Sequence, residues 1–382
     1  MKKIFIVAGE ASGDLHASRL VREIKSCEPS VVFMGIGGQN MSLAGVRVFY
    51  RADELAIVGV WDIFKHFKKI KEMFFLFLKE VDKEKPDIVI LVDYPGFNLR
   101  LLKELKKRKV KIIYYISPQL WAWGKNRIYT IKKYVDKMLV FFDFEGELYK
   151  KYGVPVECVG HPLLDIAKPS IGKDAVFEEL HFNPEKKTII LLPGSRESEI
   201  NALLPMMLSA ALKIHNLRED IQVILVRSQA IAPEIFDTHL RGFDLPCRIA
   251  ENRGTELYDY LSIADLALVS SGTATLECAI MDVPMVIVYK ISLLNAILMK
   301  PFIRVPHIGL VNILPKKKIV PELIQFDATP NKIYEEALKI LTNPSVSGAI
   351  RKDLDALRRS LGSEGASRRA AKAVIKLIGV RP

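Results

Sequence analysis

The chain has 382 residues, 49% of them hydrophobic, which is long enough for two domains and apolar enough to fill both cores. Its formal net charge of +12 predicts an anionic partner such as acidic lipid headgroups or a phosphorylated substrate, while the absence of a nucleic-acid-binding pattern argues against nucleic acid. The four cysteines form no CxxC pair, so a zinc site is not expected. No apolar run reaches the about 18 residues of a membrane span, so a spanning helix is not expected. A predicted strand follows Met1 at once, so a signal peptide is not expected either.

Short runs rich in Ile and Val alternate with helical patterns along the chain, which is typical of parallel strands buried on both faces. An aperiodic break at 160–174 separates two series of such runs, so the pattern predicts a doubly wound α/β fold given twice, as two Rossmann-like domains that face each other across a ligand cleft. We expect domains at 1–165 and 166–345, and a C-terminal helical segment at 346–382 that packs back across them. The predicted strands are Ile4–Val7, Val31–Met34, Ile88–Val92, Lys111–Ile116, Met138–Phe142, Val156–Val159, Thr188–Leu192, Gln222–Val226, Asp265–Val269 and Met285–Tyr289.

The first predicted strand leads into a loop of small and acidic residues, Gly9 to Asp14. This loop has neither the Lys of a phosphate-binding Walker loop nor the three glycines of a dinucleotide site. Carboxylates such as Glu10 and Asp14 accept hydrogen bonds only, so together with Ser12 and Gly13 they suit sugar hydroxyls better than a pyrophosphate. A tight turn with Asp14 at a helix start explains the same residues equally well.

Residues 60–81 carry apolar side chains at helical spacing, among them Ile63, Phe64 and Phe67, with five lysines off the stripe. An ordinary core-facing helix is the usual explanation. Phe75 and Leu76 widen the apolar surface beyond one core face, and the lysines would match an anionic leaflet. The stripe is therefore a candidate contact with a membrane interface.

Asp93 follows a predicted strand in "VDYPGFN", at the edge where ligands bind in doubly wound sheets. A carboxylate there is a candidate general base, although an Asp in a turn often bonds only to nearby backbone.

Two later segments are weaker candidates. Trp121 and Trp123 stand beside Lys125 and Arg127, as a wall for sugar or acyl groups or as buried packing. His161 either acts as an acid or base or positions the break between domains.

In "LLPGSRESE", Arg196 lies near a predicted helix N-terminus, where a cation is disfavoured by roughly 0.3–1 kcal/mol. A bound diphosphate would offset this cost, because a guanidinium grips phosphate with two parallel hydrogen bonds. The alternative is a surface Arg paired with Glu197 or Glu199.

The segment "SSGTATLE" places Ser271, Gly272, Thr273 and Ala274 between a buried strand and a helix, where free N–H groups bind anions. Glu277 is not the partner of a capping box, because Ala274 occupies the position that would need Ser or Thr. Its carboxylate suits the two hydroxyls of a ribose, with a helix Glu that is exposed or otherwise paired as the alternative.

Taken together, these motifs resemble the lipid-A-disaccharide synthases in kind and order, from about residue 4 to residue 312. The motifs are "VAGEASGD", "VDYPGFN", "SPQLWAW", "VGHPLLD", "LLPGSRESEI" and "SSGTATLE". The resemblance implies a glycosyltransferase-B fold and transfer of a 2,3-diacylglucosamine unit from UDP to 2,3-diacylglucosamine 1-phosphate, giving a β(1→6) disaccharide phosphate and UDP. One departure is Val311, where the family usually has Pro before the residue that matches Asn312, a substrate contact in this interpretation.

An α-linked donor and a β-linked product require inversion, so the acceptor hydroxyl attacks from the face opposite UDP through an oxocarbenium-like transition state. Asp93 is then the general base, and Arg196 with the helix start at 272–274 stabilises the departing diphosphate without a metal or cofactor. The opening loop belongs to an acceptor-binding domain at 1–165, and 166–345 binds the UDP-sugar.

Acylated substrates must come from a bilayer, so the resemblance favours the membrane reading of residues 60–78, with Ile63, Phe64 and Phe67 as contacts. The protein would then be cytoplasmic and peripherally attached to the inner membrane; whether it forms a homodimer is left open.

Other interpretations of the protein's function are a UDP-N-acetylglucosamine 2-epimerase, a peptidoglycan-precursor transferase, or a non-catalytic lipid-binding protein.

Overall fold

A computed structural model describes residues 2–51, 60–118, 120, 126–229, 231–252, 254–291 and 307–379; the side chains of residues 11 and 60–67 are outside this description. The chain separates into two compact units, and the N-terminal unit comprises residues 1–162 and 361–382. Its strands are β1 Lys3–Ala8, β2 Val32–Gly37, β3 Arg47–Arg51, β4 Ile88–Val92, β5 Lys111–Tyr115, β6 Lys137–Val140 and β7 Val156–Cys158. Its helices before the linker are α1 Ala11–Cys27, α2 Gln39–Leu43, α3 Val60–Glu84, α4 Pro95–Lys107, α5 Arg127–Tyr134 and α6 Asp143–Lys151.

The second unit comprises residues 163–360. Its strands are β8 Lys187–Leu192, β9 Ile221–Ser228, β10 Cys247–Asn252, β11 Leu266–Ser270, β12 Met285–Tyr289 and β13 Glu322–Ile324. Its helices are α7 Lys173–Leu180, α8 Glu197–Leu217, α9 Pro233–Leu240, α10 Glu256–Ser262, α11 Thr273–Ile280, α12 Leu310–Ile313, α13 Pro330–Thr342 and α14 Pro344–Ser360.

Each unit is built on one parallel sheet, and the two sheets share an order. The first is β3-β2-β1-β4-β5-β6-β7 and the second is β10-β9-β8-β11-β12-β13. The central strands β1, β4, β8 and β11 are almost entirely buried, because helices cover both faces of a doubly wound sheet. The prediction of two Rossmann-like α/β domains is confirmed.

The ten predicted strands all exist, and the three that prediction missed are β3, β10 and β13. All three lie at the edge of a sheet. An edge strand is covered less completely, so it lacks the continuous apolar run that identifies a central strand. In β10, for example, only Ala250 is fully buried.

The C-terminal segment predicted at 346–382 is divided between the units. Helix α14 belongs to the second unit, whereas α15, Ala366–Ile378, returns to the first and packs on α1. Apolar residues of α15 such as Val374 join the cluster that holds Ile4 and Leu20. The first unit therefore ends at residue 162 and is completed by the last helix of the chain.

Helix α3 packs against the first sheet along part of the predicted stripe. Met73, Phe77 and Val81 are buried in the core, and Ile70 and Phe74 pack against it. Phe75 points away from that core and is 57% exposed. The predicted contacts Ile63, Phe64 and Phe67 fall outside the described side chains. No helix within the described ranges has the length and apolar character needed to cross a membrane.

Candidate active site

The strand orders place two crevices, one in each unit. In the first sheet β2 and β4 lie on opposite sides of β1, and in the second sheet β9 and β11 lie on opposite sides of β8. Loops at the carboxyl ends of two such strands diverge and leave room for a ligand. We call the ends of β1 and β4 the first switch point, and the ends of β8 and β11 the second. The predicted motifs with Asp93 and Glu277 lie at or beside these points.

Two loops meet at the first switch point through Gly9 and Tyr94. A Cβ at Gly9 would lie 2.2 Å from Cδ1 of the Tyr94 ring, so only glycine allows this ring to lie against the β1–α1 loop. The ring also stacks on Phe97, with centroids 5.7 Å apart. Glu10 follows with an exposed side chain. The Tyr94 ring thus holds the loop that carries Glu10 beside the loop that carries Asp93.

Asp93 has the electrostatics of a base that works near neutral pH. Burial raises the pKa of its carboxyl to about 7, and the negative charge of Glu10 acts in the same direction. A hydrogen bond from the Tyr94 N–H opposes the rise. A general base is most effective when its pKa lies near the working pH, so this environment suits proton transfer.

The backbone at Asp93 and Tyr94 is left-handed at both residues, each with a φ of 44°. Such a conformation in a residue other than glycine costs of the order of 1–3 kcal/mol, and it recurs at functional sites. Two buried side chains, Asn98 and Tyr114, bond to this segment.

The carboxylate of Asp14, predicted to face sugar hydroxyls, is engaged within the fold. Its side chain is 4% exposed, and its carboxylate accepts backbone hydrogen bonds from Gly38 at 2.7 Å, Asn40 at 2.9 Å and Met41 at 3.2 Å. These bonds cap the start of α2 from outside, so Asp14 fixes the β2–α2 loop. Of its predicted neighbours, Ser12 is exposed and Gly13 is buried.

Arg196 lies at the second switch point, as the residue that precedes α8. Its side chain is 55% exposed and pairs with Glu199 at 2.9 Å. The second carboxylate oxygen of Glu199 accepts a bond from the Ser195 N–H at 3.2 Å. Gly194 has a φ of 121°, and a Cβ there would collide with this carboxylate. Arg196 is the more exposed partner of this pair, so its guanidinium is accessible from solvent, whereas Glu199 is 20% exposed.

The other loop of the second switch point opens α11. Among the residues that the structure describes, none places an atom within 4 Å of a Cβ built on Gly272, and none caps the helix with its side chain; Gly272 and Thr273 are exposed. Ala274 is half-buried, and Ser271 donates to the carbonyl of Ile308 at 3.2 Å. The described residues therefore leave the first N–H groups of α11 uncovered, as an anion site requires.

Glu277 lies one turn into α11 and is half-buried. Its carboxylate accepts a hydrogen bond from the Tyr258 hydroxyl at 2.9 Å. This bond orients the carboxylate.

Asn312 is also engaged within the fold. The side chain is completely buried, its Nδ2 donates to Val320 O and to the Glu322 carboxylate, and its Oδ1 accepts from the Ile319 and Val320 N–H groups. An Asn amide has two donors and two acceptor positions, so all are used. These bonds fix the loop before β13, and the substrate contact of Asn312 stays a prediction.

His161 is buried among aromatic rings, with Phe141 at 4.9 Å and His16 at 6.4 Å between ring centroids. Burial lowers the pKa of His161 to about 3 and that of His16 to about 4, so both rings are neutral at neutral pH. The backbone N–H of His161 donates to Leu361 O at 3.1 Å, which ties the end of the first sheet to the returning C-terminal segment. The residues Trp121, Trp123 and Lys125 lie outside the described residues.

Prediction missed three residues that hold the candidate groups in place: Tyr94, Asn98 and Tyr114. It did name Glu199 as a possible partner of Arg196, because Glu199 lies three residues further along a predicted helix. The others contact residues that are distant in sequence or that turn in an unusual direction.

Known proteins show the same organisation. The chain is 41% identical over 378 residues to the lipid-A-disaccharide synthase of Coxiella burnetii (strain Dugway 5J108-111), covering 99% of both chains. Among solved structures, the putative UDP-N-acetylglucosamine 2-epimerase from Listeria monocytogenes has a TM-score of 0.67 at 13% identity, covering 100% of this chain and 98% of that one. The calicheamicin glycosyltransferase CalG4 has a TM-score of 0.64 at 14% identity over 100% of both chains.

The two structural likenesses concern the fold alone, because both identities are low. The sequence likeness reaches further. A family model described as lipid-A-disaccharide synthetase matches residues 4–377, beyond the motif-bearing region that first suggested the resemblance. With this match and a relative 41% identical over nearly its whole length, the chain belongs to the lipid-A-disaccharide synthase family.

Proposed function

We propose that the chain transfers 2,3-diacylglucosamine from UDP to 2,3-diacylglucosamine 1-phosphate, giving the β(1→6)-linked lipid A disaccharide 1-phosphate and UDP. The observation that carries this proposal is the division of chemistry between the units. The first switch point holds carboxyl groups that suit hydroxyls, and the second holds a cation and free helix N–H groups that suit a diphosphate. An inverting transfer from a UDP-sugar needs both kinds of group.

Asp93 takes the proton of the acceptor's 6-hydroxyl as that oxygen attacks the donor's anomeric carbon. Its raised pKa, about 7, makes it an effective proton acceptor at neutral pH. Glu10 and Ser12 are exposed where β1 leads into α1 and bind acceptor hydroxyls in this proposal. Asp93→Asn keeps the shape of the side chain but cannot take a proton, so we expect kcat to fall by about 10²–10⁴-fold.

The donor's diphosphate binds at Arg196 and at the start of α11, where Gly272 and Thr273 are open, and Glu277 receives the ribose hydroxyls. Negative charge grows on the diphosphate as the glycosidic bond breaks, and prearranged donors stabilise it. Arg196→Ala should lower kcat, and Arg196→Lys should restore only part of it because Lys lacks the planar fork.

The test is release of UDP by the purified chain. Incubation with UDP-2,3-diacylglucosamine and 2,3-diacylglucosamine 1-phosphate together should release UDP, and either one alone should not. UDP release from UDP-N-acetylglucosamine without an acceptor would favour a 2-epimerase instead. The 13% identity to an epimerase structure gives that alternative no support beyond the fold.

A second part of the proposal is that α3 contacts an anionic membrane surface, the cytoplasmic face of the inner membrane. The first unit has 33 Lys and Arg against 20 Asp and Glu, a net charge of +13, whereas the second has 23 against 24, a net charge of −1. All of the chain's basic excess thus lies in the unit that carries α3. Beside the exposed Phe75, a groove of about 630 Å³ between α3 and α4 is lined by four basic and two acidic side chains: Lys79, Arg100, Lys103, Arg108, Asp82 and Glu104.

Binding to vesicles that contain an anionic phospholipid tests the membrane contact. Phe75→Ser and the double variant Phe64→Ser/Phe67→Ser should bind less, and high salt should weaken the contribution of the lysines. Phe326→Ser is the matched control, because Phe326 is 82% exposed and lies in the second unit. Equal binding by the α3 variants, the control and the wild type would refute the contact.

A further inference from the structure

The candidate base is held by its own main chain in an unusual way. Asp93 follows the last residue of β4, and its backbone, like that of Tyr94, takes the left-handed conformation that residues with a side chain rarely adopt. Such a conformation persists only where the surroundings impose it. The residues that impose it are therefore identifiable from the bonds that this segment makes.

Three polar groups bond to the backbone of Asp93. Its N–H donates to the carbonyl of Tyr115 at 2.9 Å, which continues the pairing of β4 with β5 by one residue. Its carbonyl oxygen accepts from Asn98 Nδ2 at 2.7 Å and from the Tyr114 hydroxyl at 2.7 Å. Asn98 Nδ2 also donates to Val92 O at 3.1 Å. Both lone pairs of the Asp93 carbonyl are thereby occupied, so its peptide plane is fixed from both sides.

Asn98 and Tyr114 are suited to this task because neither side chain is exposed to solvent. Each comes from a different element: Asn98 from the first turn of α4 and Tyr114 from β5. Their donors face no competing water, and a buried donor without a partner is costly. The Asp93 carbonyl is therefore held between a helix and a strand, and the Asp93 carboxyl can move only by rotation of its own side chain.

We propose that Asn98 and Tyr114 are positioning residues that hold Asp93 in its strained turn, so that its carboxyl stays beside Glu10 in a partly buried site. This inference rests on the proposed role of Asp93 as general base. Loss of either bond would let the peptide relax toward a common conformation and turn the carboxyl toward water. A displacement of about 1 Å is enough to cost about 10²-fold in rate.

The pH dependence of activity separates positioning from simple structural support. The titratable groups that face Asp93 are Glu10 from the β1–α1 loop, Tyr94 from its own loop and Tyr114 from β5. Burial is the largest cause of the raised Asp93 pKa. A carboxyl released toward water loses that contribution, so its pKa falls and the acid limb of the pH–rate profile moves to lower pH.

Tyr114→Phe removes one hydroxyl without changing the ring. Tyr149→Phe is the matched control: Tyr149 is also completely buried, and its hydroxyl bonds to Ser117 Oγ at 3.0 Å rather than to Asp93. The two variants should have similar denaturation midpoints. Tyr114→Phe alone should lower kcat by about 10- to 100-fold, leave both KM values within about twofold, and move the acid limb to lower pH. Asn98→Ala should move the limb in the same direction.

If Tyr114→Phe has the same kcat and pH profile as Tyr149→Phe, the inference is overturned. Loss of activity in Asp93→Asn would then show that Asp93 is still the general base. An Asp93→Asn variant with wild-type activity would overturn the base and the inference together. An Asn98→Ala protein that folds and keeps the wild-type acid limb would likewise contradict the role of Asn98.

Discussion

Replacing Asn312 by Ala tests whether this residue supports the fold or contacts substrate. The substitution removes two hydrogen bonds donated by Nδ2, to Val320 O at 2.9 Å and to the Glu322 carboxylate at 2.8 Å. It also removes two bonds accepted by Oδ1, from the N–H groups of Ile319 at 2.7 Å and Val320 at 3.0 Å. A buried hydrogen bond contributes about 1 kcal/mol net, and a buried group left without a partner costs more. The free energy of unfolding is therefore expected to fall by about 3–5 kcal/mol, out of a total of about 5–15 kcal/mol for a typical domain.

Amide hydrogen exchange is the most direct assay, because the lost acceptor, Asn312 Oδ1, holds both the Ile319 and the Val320 N–H groups. Exchange in a peptide covering 307–324 should rise strongly in Asn312→Ala. All three tryptophans lie in the first unit, so their fluorescence does not follow this loop. Asn201→Ala is the control, since Asn201 is exposed and bonds only to His239 among described residues. Unchanged exchange and stability together with a lost affinity for UDP-sugar would refute the structural role.

Three further predictions concern pH and the donor. The folded-state pKa values of His16 and His161 are about 4 and about 3, below the 6.5 of the unfolded chain. The stability of the fold should therefore be complete above about pH 6.5 and fall as the pH drops toward 4, by up to about 3 kcal/mol for His16. The raised pKa of Asp93 changes stability with pH in the opposite direction, so denaturation should be measured in the Asp93→Asn variant. A denaturation midpoint that does not change between pH 7 and pH 5 would contradict the prediction for the two histidines. Glu10→Gln removes the negative charge that helps to raise the Asp93 pKa, so the acid limb of kcat/KM should move to lower pH; a limb at the wild-type position would show that Glu10 has no such effect. Glu277→Ala should raise the donor KM more than it lowers kcat, since a ribose contact changes little in the transition state, and an unchanged donor KM in the folded variant would exclude that contact.

The strand ends that carry the candidate residues could be predicted from the sequence because their signal is local. A buried strand followed by small or acidic residues is recognisable in a single stretch, and parallel topology then brings such stretches to one edge of a sheet. The loops with Glu10, Asp93, Arg196 and Glu277 all lie where this reasoning places them. Edge strand β10 was missed for the converse reason, since its residues are too exposed to form an apolar run.

The role of a polar residue within the site was less predictable. Asp14 and Asn312 are residue types that bind ligands and that also lock loops, and only their contacts distinguish the two roles. Asp14 bonds to residues 38–41, on a different loop, so no local pattern reveals it. Tyr114 is 21 positions from Asp93 and reads as an ordinary strand residue. Such contacts depend on the tertiary fold rather than on local spacing.

The most direct test of the central claim is the structure of the product. Purified protein is incubated with UDP-2,3-diacylglucosamine and 2,3-diacylglucosamine 1-phosphate, and the lipid product is examined by mass spectrometry and by NMR of its anomeric protons. We expect a disaccharide 1-phosphate with a β linkage to O6, formed in equal amount to UDP and nearly lost in Asp93→Asn. An α-linked product, or UDP released without any disaccharide, would contradict it.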